Sequence, residues 1–159
     1  MKSNKKAYSS KILKAGAILS ETKTLLNNWD DSLSMKDNLD LFRQDNILGK
    51  ASRSRVDDIL QIFRQRYLSE ETVTKTLVTI VKLKYPAEVL DRILYFHTAR
   101  SDPLIHDFVI EVLWPRYLNG AQHILVRDAE KWIEGKIASG HIRGPWSEKT
   151  IERSAQELM

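Results

Sequence analysis

The chain has 159 residues, 42% hydrophobic and 29% charged, and its 25 lysines and arginines outnumber 21 acids for a net charge of +4. That apolar content fills a real core and excludes wholesale disorder, while the absence of cysteine excludes disulfides and thiolate metal sites. Apolar runs as short as Ile93 to Phe96 fall far below the ~18 residues of a membrane helix, so no membrane partner is expected.

Six glycines and four prolines, with apolar residues mostly at helical spacing, predict an all-α fold. The expectation is a compact multi-helix bundle of about seven to eight helices with an N-terminal helix-turn-helix-like part. The start MKSNKKAYSS is basic and leads into no continuous hydrophobic stretch, so it does not read as a secretory signal and the expected location is cytoplasmic. The first helix is predicted over residues 10–27, with Ile12, Ala15, Leu19 and Leu26 on one stripe and Trp29 packed past its end. Ser34 caps a short second helix, with Asp37 three residues on and Met35, Leu39 and Phe42 facing inward. Ser52 caps a third helix to Tyr67, whose Val56, Ile59, Leu60, Phe63 and Tyr67 form its apolar stripe.

Residues 72–81 are rich in β-branched side chains, yet Val73, Leu77, Ile80 and Val81 keep helical spacing and predict a fourth helix. Pro86 opens a fifth to about His97, and Asp102 with Pro103 opens a sixth to Trp114. Both are apolar around much of their circumference and are expected at the buried centre, with Pro115 ending or kinking the sixth. A seventh spans 121–139, a loop spans 141–146, and Ser147 opens a last helix with Ile151, Ala155 and Leu158 on one face. Trp114, Tyr117, Trp132 and Trp146 are expected in the core. A soft boundary near Ser69 separates a basic arm and helix-turn-helix-like part (1–68) from a C-terminal helical part (69–159).

The positive charge is local. Residues 1–14 sum to +5 and 49–67 to +3, whereas 15–48 sum to −3 and the rest is nearly balanced. Such clustering fits an anionic partner; the plainer alternative for the arm is lysines that only keep it solvated. On the third helix, Arg53 and Arg64 fall on one shoulder of the apolar stripe and Arg55 and Arg66 on the other, with Ser54, Asp57, Asp58, Gln61 and Gln65 between them. Four arginines on a helix about 22 Å long match phosphates on both walls of a DNA major groove, with glutamines facing base edges. The candidate nucleic-acid residues are therefore Lys5, Lys6, Lys11, Lys14, Lys50, Arg53, Ser54, Arg55, Gln61, Arg64, Gln65 and Arg66.

Two other readings of this helix stay open. Shoulder arginines can simply cover the rim of a core, with Asp57 pairing to Arg53, or the helix can dock a protein. The connection 45–51 is also longer than the tight turn of a helix-turn-helix.

Little points to catalysis. His97, His106, Asp107 and Asp128 mimic the order of an HD-type metal phosphohydrolase, but the first two are too closely spaced and no supporting motif surrounds them. There is no HExxH, P-loop or GxSxG signature. No cofactor, no metal and no catalytic residue are expected.

The segments AGAILSET (15–22), NILGKASRSR leading to RQRYL, DPLIHDFVIEVLWPRYL (102–118) and the final WSEKTIERSAQELM resemble the BrxA family of bacteriophage-exclusion (BREX) defence systems. The similarity is collinear over most of the chain. It implies a small all-helical, non-enzymatic protein that binds double-stranded DNA, with other BREX components as further partners. It supplies no catalytic motif, so the nucleic-acid residues above rest on charge geometry.

Overall fold

The protein is described by a computed structural model covering residues 8–9, 18–121, 123–142 and 144–159. The secondary structure of these residues is helical, apart from one isolated parallel bridge between Tyr8 and Ile142, so the fold is all-α. Among them no helix is long and apolar enough to cross a membrane. They fall into two compact units, residues 18–98 and Ala99–Met159, the latter taking in Tyr8.

The first unit holds α1 (Leu19–Asn27), α2 (Met35–Gln44), α3 (Arg53–Tyr67), α4 (Glu71–Lys82) and most of α5 (Ala87–Ser101). The predicted first turns of the opening helix, with Ile12 and Ala15, lie outside the described residues. Helix starts are set locally. Ser34 Oγ accepts the Asp37 N–H at 3.1 Å and donates to the Asp37 carboxylate at 2.6 Å, and Ser52 Oγ accepts the Arg55 N–H at 3.4 Å. The β-branched stretch is helical, as its apolar spacing predicts, and Thr76 and Thr79 turn their hydroxyls onto carbonyls four residues back, both at 2.8 Å. Its Leu77 and Val78 are then free to enter the core.

That core joins Leu25, Leu26, Phe42, Ile59, Leu60, Phe63, Tyr67, Leu77, Val78, Leu90 and Leu94. Trp29 does pack past the end of α1, with its ring 6.2 Å from Phe42 and 6.4 Å from Phe63. The unit therefore runs to Thr98 and not to the neighbourhood of Ser69. The turn at 68–70 joins two helices of one core, and Tyr67 is tied across it: its carbonyl accepts from Thr74 Oγ1 at 2.9 Å and its hydroxyl lies 2.8 Å from Thr98 Oγ1.

The second unit holds α6 (Pro103–Phe108), a π-helical turn (Val109–Leu113), α7 (Trp114–Leu118), α8 (Val126–Ala138) and α9 (Glu148–Leu158). Asp102 caps α6 through the Leu104 N–H at 2.9 Å, and Ser147 caps α9 through the Thr150 N–H at 3.2 Å. Pro115 does not end the helix, which runs on to Leu118. It cannot donate an N–H, and the turn just before it widens so that the Trp114 N–H reaches Val109 O. α8 begins five residues later than predicted, because the Asp128 carboxylate accepts the Leu125 N–H at 3.0 Å and caps the helix there. Leu104, Ile105, Phe108, Ala129, Ile133, Ala155 and Leu158 form this unit's core.

Two expectations are corrected. α5 is not wrapped in protein on all sides, since Phe96 is 61% exposed and Val89 also faces outward, whereas Leu104, Ile105 and Phe108 of α6 are buried as expected. Trp114 and Tyr117 are not core residues either; they stack on each other, ring centroids 5.8 Å apart, at 53% and 72% exposure. Each helix lends one face to a core, and its remaining apolar residues stay exposed among the described residues. Trp132 and Trp146 are partly buried against the second core.

Candidate nucleic-acid interface

α3 buries Val56, Ile59, Leu60, Phe63 and Tyr67, so its opposite face is turned to solvent. There Arg53, Ser54, Gln61, Arg64 and Gln65 are exposed. Arg53 and Arg64 stand eleven residues apart on the same shoulder, about 16 Å along the axis, and neither has a side-chain partner among the described residues. Asp57 does not neutralise Arg53. It accepts from Arg43 Nε at 2.6 Å, and the same guanidinium reaches Asp40 at 2.7 Å, so the acid is spent joining α3 to α2.

The other predicted cations are placed differently. Arg66 is buried at 7% exposure, which removes it from any phosphate-binding row. Lys50 donates to Glu21 at 2.8 Å. Arg55 is exposed, but its charge also acts on Glu21, whose carboxyl is held below its usual range chiefly by the Lys50 hydrogen bond. Glu21 thus competes inside the protein for the two cations at the start of α3. Lys5, Lys6, Lys11 and Lys14 lie outside the described residues.

The α2–α3 connection, residues 45–52, is long for a helix-turn-helix and is built as a bracket. Asn46, with φ 45°, accepts from Lys50 N at 3.1 Å and donates to Lys50 O at 3.0 Å, and Gly49 adopts φ 59°.

A second polar cluster, in the other unit, escaped the sequence reading. Tyr8, 6% exposed, donates its hydroxyl to Asp107 and its backbone N–H to His141 O at 3.0 Å. Its ring stacks on His141 and lies 6.1 Å from Trp132. Glu111, in the π-helical turn, accepts from Trp132 Nε1 at 2.9 Å and Lys136 Nζ at 2.7 Å, and that ammonium lies 5.3 Å from the Trp132 ring centroid. Burial pushes the Asp107 carboxyl up, but hydrogen bonds from Tyr8 and His106 bring it below its usual range. Burial, reinforced by Asp107, pushes the Tyr8 hydroxyl well up. The only trace in the sequence is spacing: Asp107 with Glu111, and Trp132 with Lys136, each sit four apart on a helix face.

The residues that mimic an HD-type centre are otherwise engaged. Asp107 holds Tyr8 and His106, and Asp128 holds Arg116 at 3.0 Å besides the Leu125 N–H.

Comparison with curated proteins and with solved structures gave no match. The BrxA family model, however, matches residues 6–159, nearly the whole chain and both units. The protein belongs to the BrxA family and is a component of a BREX phage-defence system.

Proposed function

We propose that the protein is the non-enzymatic, double-stranded DNA-binding member of its defence system, acting mainly on backbone phosphates. The observation that carries this reading is the pair Arg53 and Arg64, exposed and unpartnered among the described residues on one face of α3, with Ser54, Gln61 and Gln65 beside them. The arm lysines Lys5, Lys6, Lys11 and Lys14 supply the remaining charge, and the glutamines add weak base preference.

The test is duplex affinity against salt. Each neutralised phosphate contributes about −0.9 to the slope of log K on log salt. Two arginines and several lysines therefore predict a slope of roughly −4 to −6. Binding that ignores salt removes the proposal.

Glu21 sharpens it. With Glu21→Gln, Lys50 loses its internal carboxylate, and duplex affinity rises about threefold or more at low salt. An unchanged or weaker affinity, read by fluorescence anisotropy, takes Lys50 off the interface.

A second reading, an adaptor that docks other defence components, draws on the exposed stripe Ile110, Trp114, Tyr117 and Leu118. It takes precedence if no duplex binds at low salt while another component co-purifies.

A further inference from the structure

α5 turns Leu90, Leu94 and Thr98 inward. At about 100° per residue, the opposite side carries Glu88, Val89, Arg92 and Phe96, all exposed, and Tyr85 is exposed just before the helix begins. Tyr85, Val89, Arg92 and Phe96 follow one another at intervals of four, three and four, the spacing with which one helix packs on another. Apolar side chains grouped in a row, rather than scattered singly, mark a surface that meets another molecule. All of these residues belong to the 18–98 unit.

Charge indicates what that molecule is. Glu88 and Arg92 stand four apart with the acid first, the order that pairs best within a helix. They do not pair with each other, and neither side chain has a partner among the described residues. Asp91 does not serve Arg92 either, because it holds Lys23 at 2.5 Å. The face therefore presents one acid and one base, a turn apart, between apolar ends. Such a pattern is complementary to a copy of itself turned end over end.

Orientation follows from the same residues. A parallel copy sets Arg92 level with Arg92. An antiparallel copy, related by a twofold axis passing between Leu90 and Asp91, sets Val89 level with Arg92 of the second copy and Phe96 level with its Tyr85. Glu88 then lies about 1.5 Å along the helix axis from the level of that Arg92. This twofold brings the same side of each helix together, and Glu88 and Arg92 both lean to one side of the stripe, so the cross pairs are within reach.

We infer that the outward face of α5 joins two antiparallel copies of this chain, Glu88 to Arg92 and Phe96 to Tyr85, each contact made twice. About three turns of one helix cover less area than a standard interface, so the dimer is weak, with a Kd on the order of 10 μM. The inference does not depend on the DNA-binding reading, because the dimer needs no duplex.

The experiment is sedimentation equilibrium of the full chain without DNA, from about 1 to about 200 μM so as to bracket that Kd. The average mass rises from one chain to two across this range. Phe96→Ser raises the Kd about thirtyfold or more. Arg92→Glu and Glu88→Arg each raise it about tenfold, because like charges then face each other across the axis. An equal mixture of these two variants dimerises as tightly as the wild type, since every acid now meets a base on the other chain. All three positions are exposed, so melting temperatures stay near that of the wild type. A wild type that remains monomeric at the highest concentration overturns the inference, and so does a dimer that Phe96→Ser leaves intact. Arg92→Glu binding itself as tightly as the wild type, the parallel outcome, overturns it as well, as does a mixture no tighter than either variant alone.

Discussion

Reversing the two arginines of α3 that have no partner among the described residues, Arg53→Glu together with Arg64→Glu, lowers duplex affinity by about two hundredfold or more near 50 mM salt and reduces the salt slope by about 2. The magnitude follows from counterion release. At that salt, one lost phosphate contact costs a factor of about 15, and two cost its square. Repulsion by the new carboxylates adds to the loss. The fold is not at stake, because both positions are exposed and away from the core, where substitutions usually shift stability by no more than about 0.5 kcal/mol. Arg66→Ala is the internal control. Its guanidinium is buried, so the substitution moves the melting temperature and leaves the salt slope where it was. Full affinity with an unaltered slope in the double reversal takes α3 off the DNA.

Asn38→Ala destabilises the 18–98 unit by about 3 kcal/mol in urea unfolding. Asn38 is fully buried, a rare place for an amide, and every polar atom of it is used. Oδ1 accepts the Asp30 N–H at 2.9 Å, and Nδ2 donates to Asp30 O at 2.9 Å and Ser34 O at 3.1 Å. One side chain from α2 thus satisfies the backbone of the turn that leads into α2. Alanine strands those groups at about 1 kcal/mol each and leaves a small void. Asn38→Asp is no milder, since it removes the donors and sets a carboxylate against two carbonyls. A cost below about 1 kcal/mol in the alanine variant refutes this account of the turn. The consequence reaches the candidate interface, because α2 also carries Arg43, whose grip on Asp57 keeps that acid from Arg53.

The features legible in the sequence are those whose partners lie within one helical turn. Ser34, Ser52, Asp102 and Ser147 each cap a helix through an N–H two or three residues on, and the threonines of α4 bond four residues back. Apolar spacing did the rest for α3, whose bounds agree with the expectation to within a residue. Charge clustering likewise pointed to α3 without any structure.

What lay beyond the sequence depended on neighbours distant in the chain. Arg64 and Arg66 occupy equivalent shoulders of one helix, and only the tertiary structure shows the second buried and the first exposed. Asp57 chose Arg43, 14 residues away, over Arg53 at four; Lys50 found Glu21 at 29 and Tyr8 found Asp107 at 99. Trp114 and Tyr117 carry every mark of core residues, yet no other element covers them among the described residues. Periodicity says which face of a helix is apolar. Whether that face, or a charge at its edge, meets protein or water is decided by chain segments that local rules do not place.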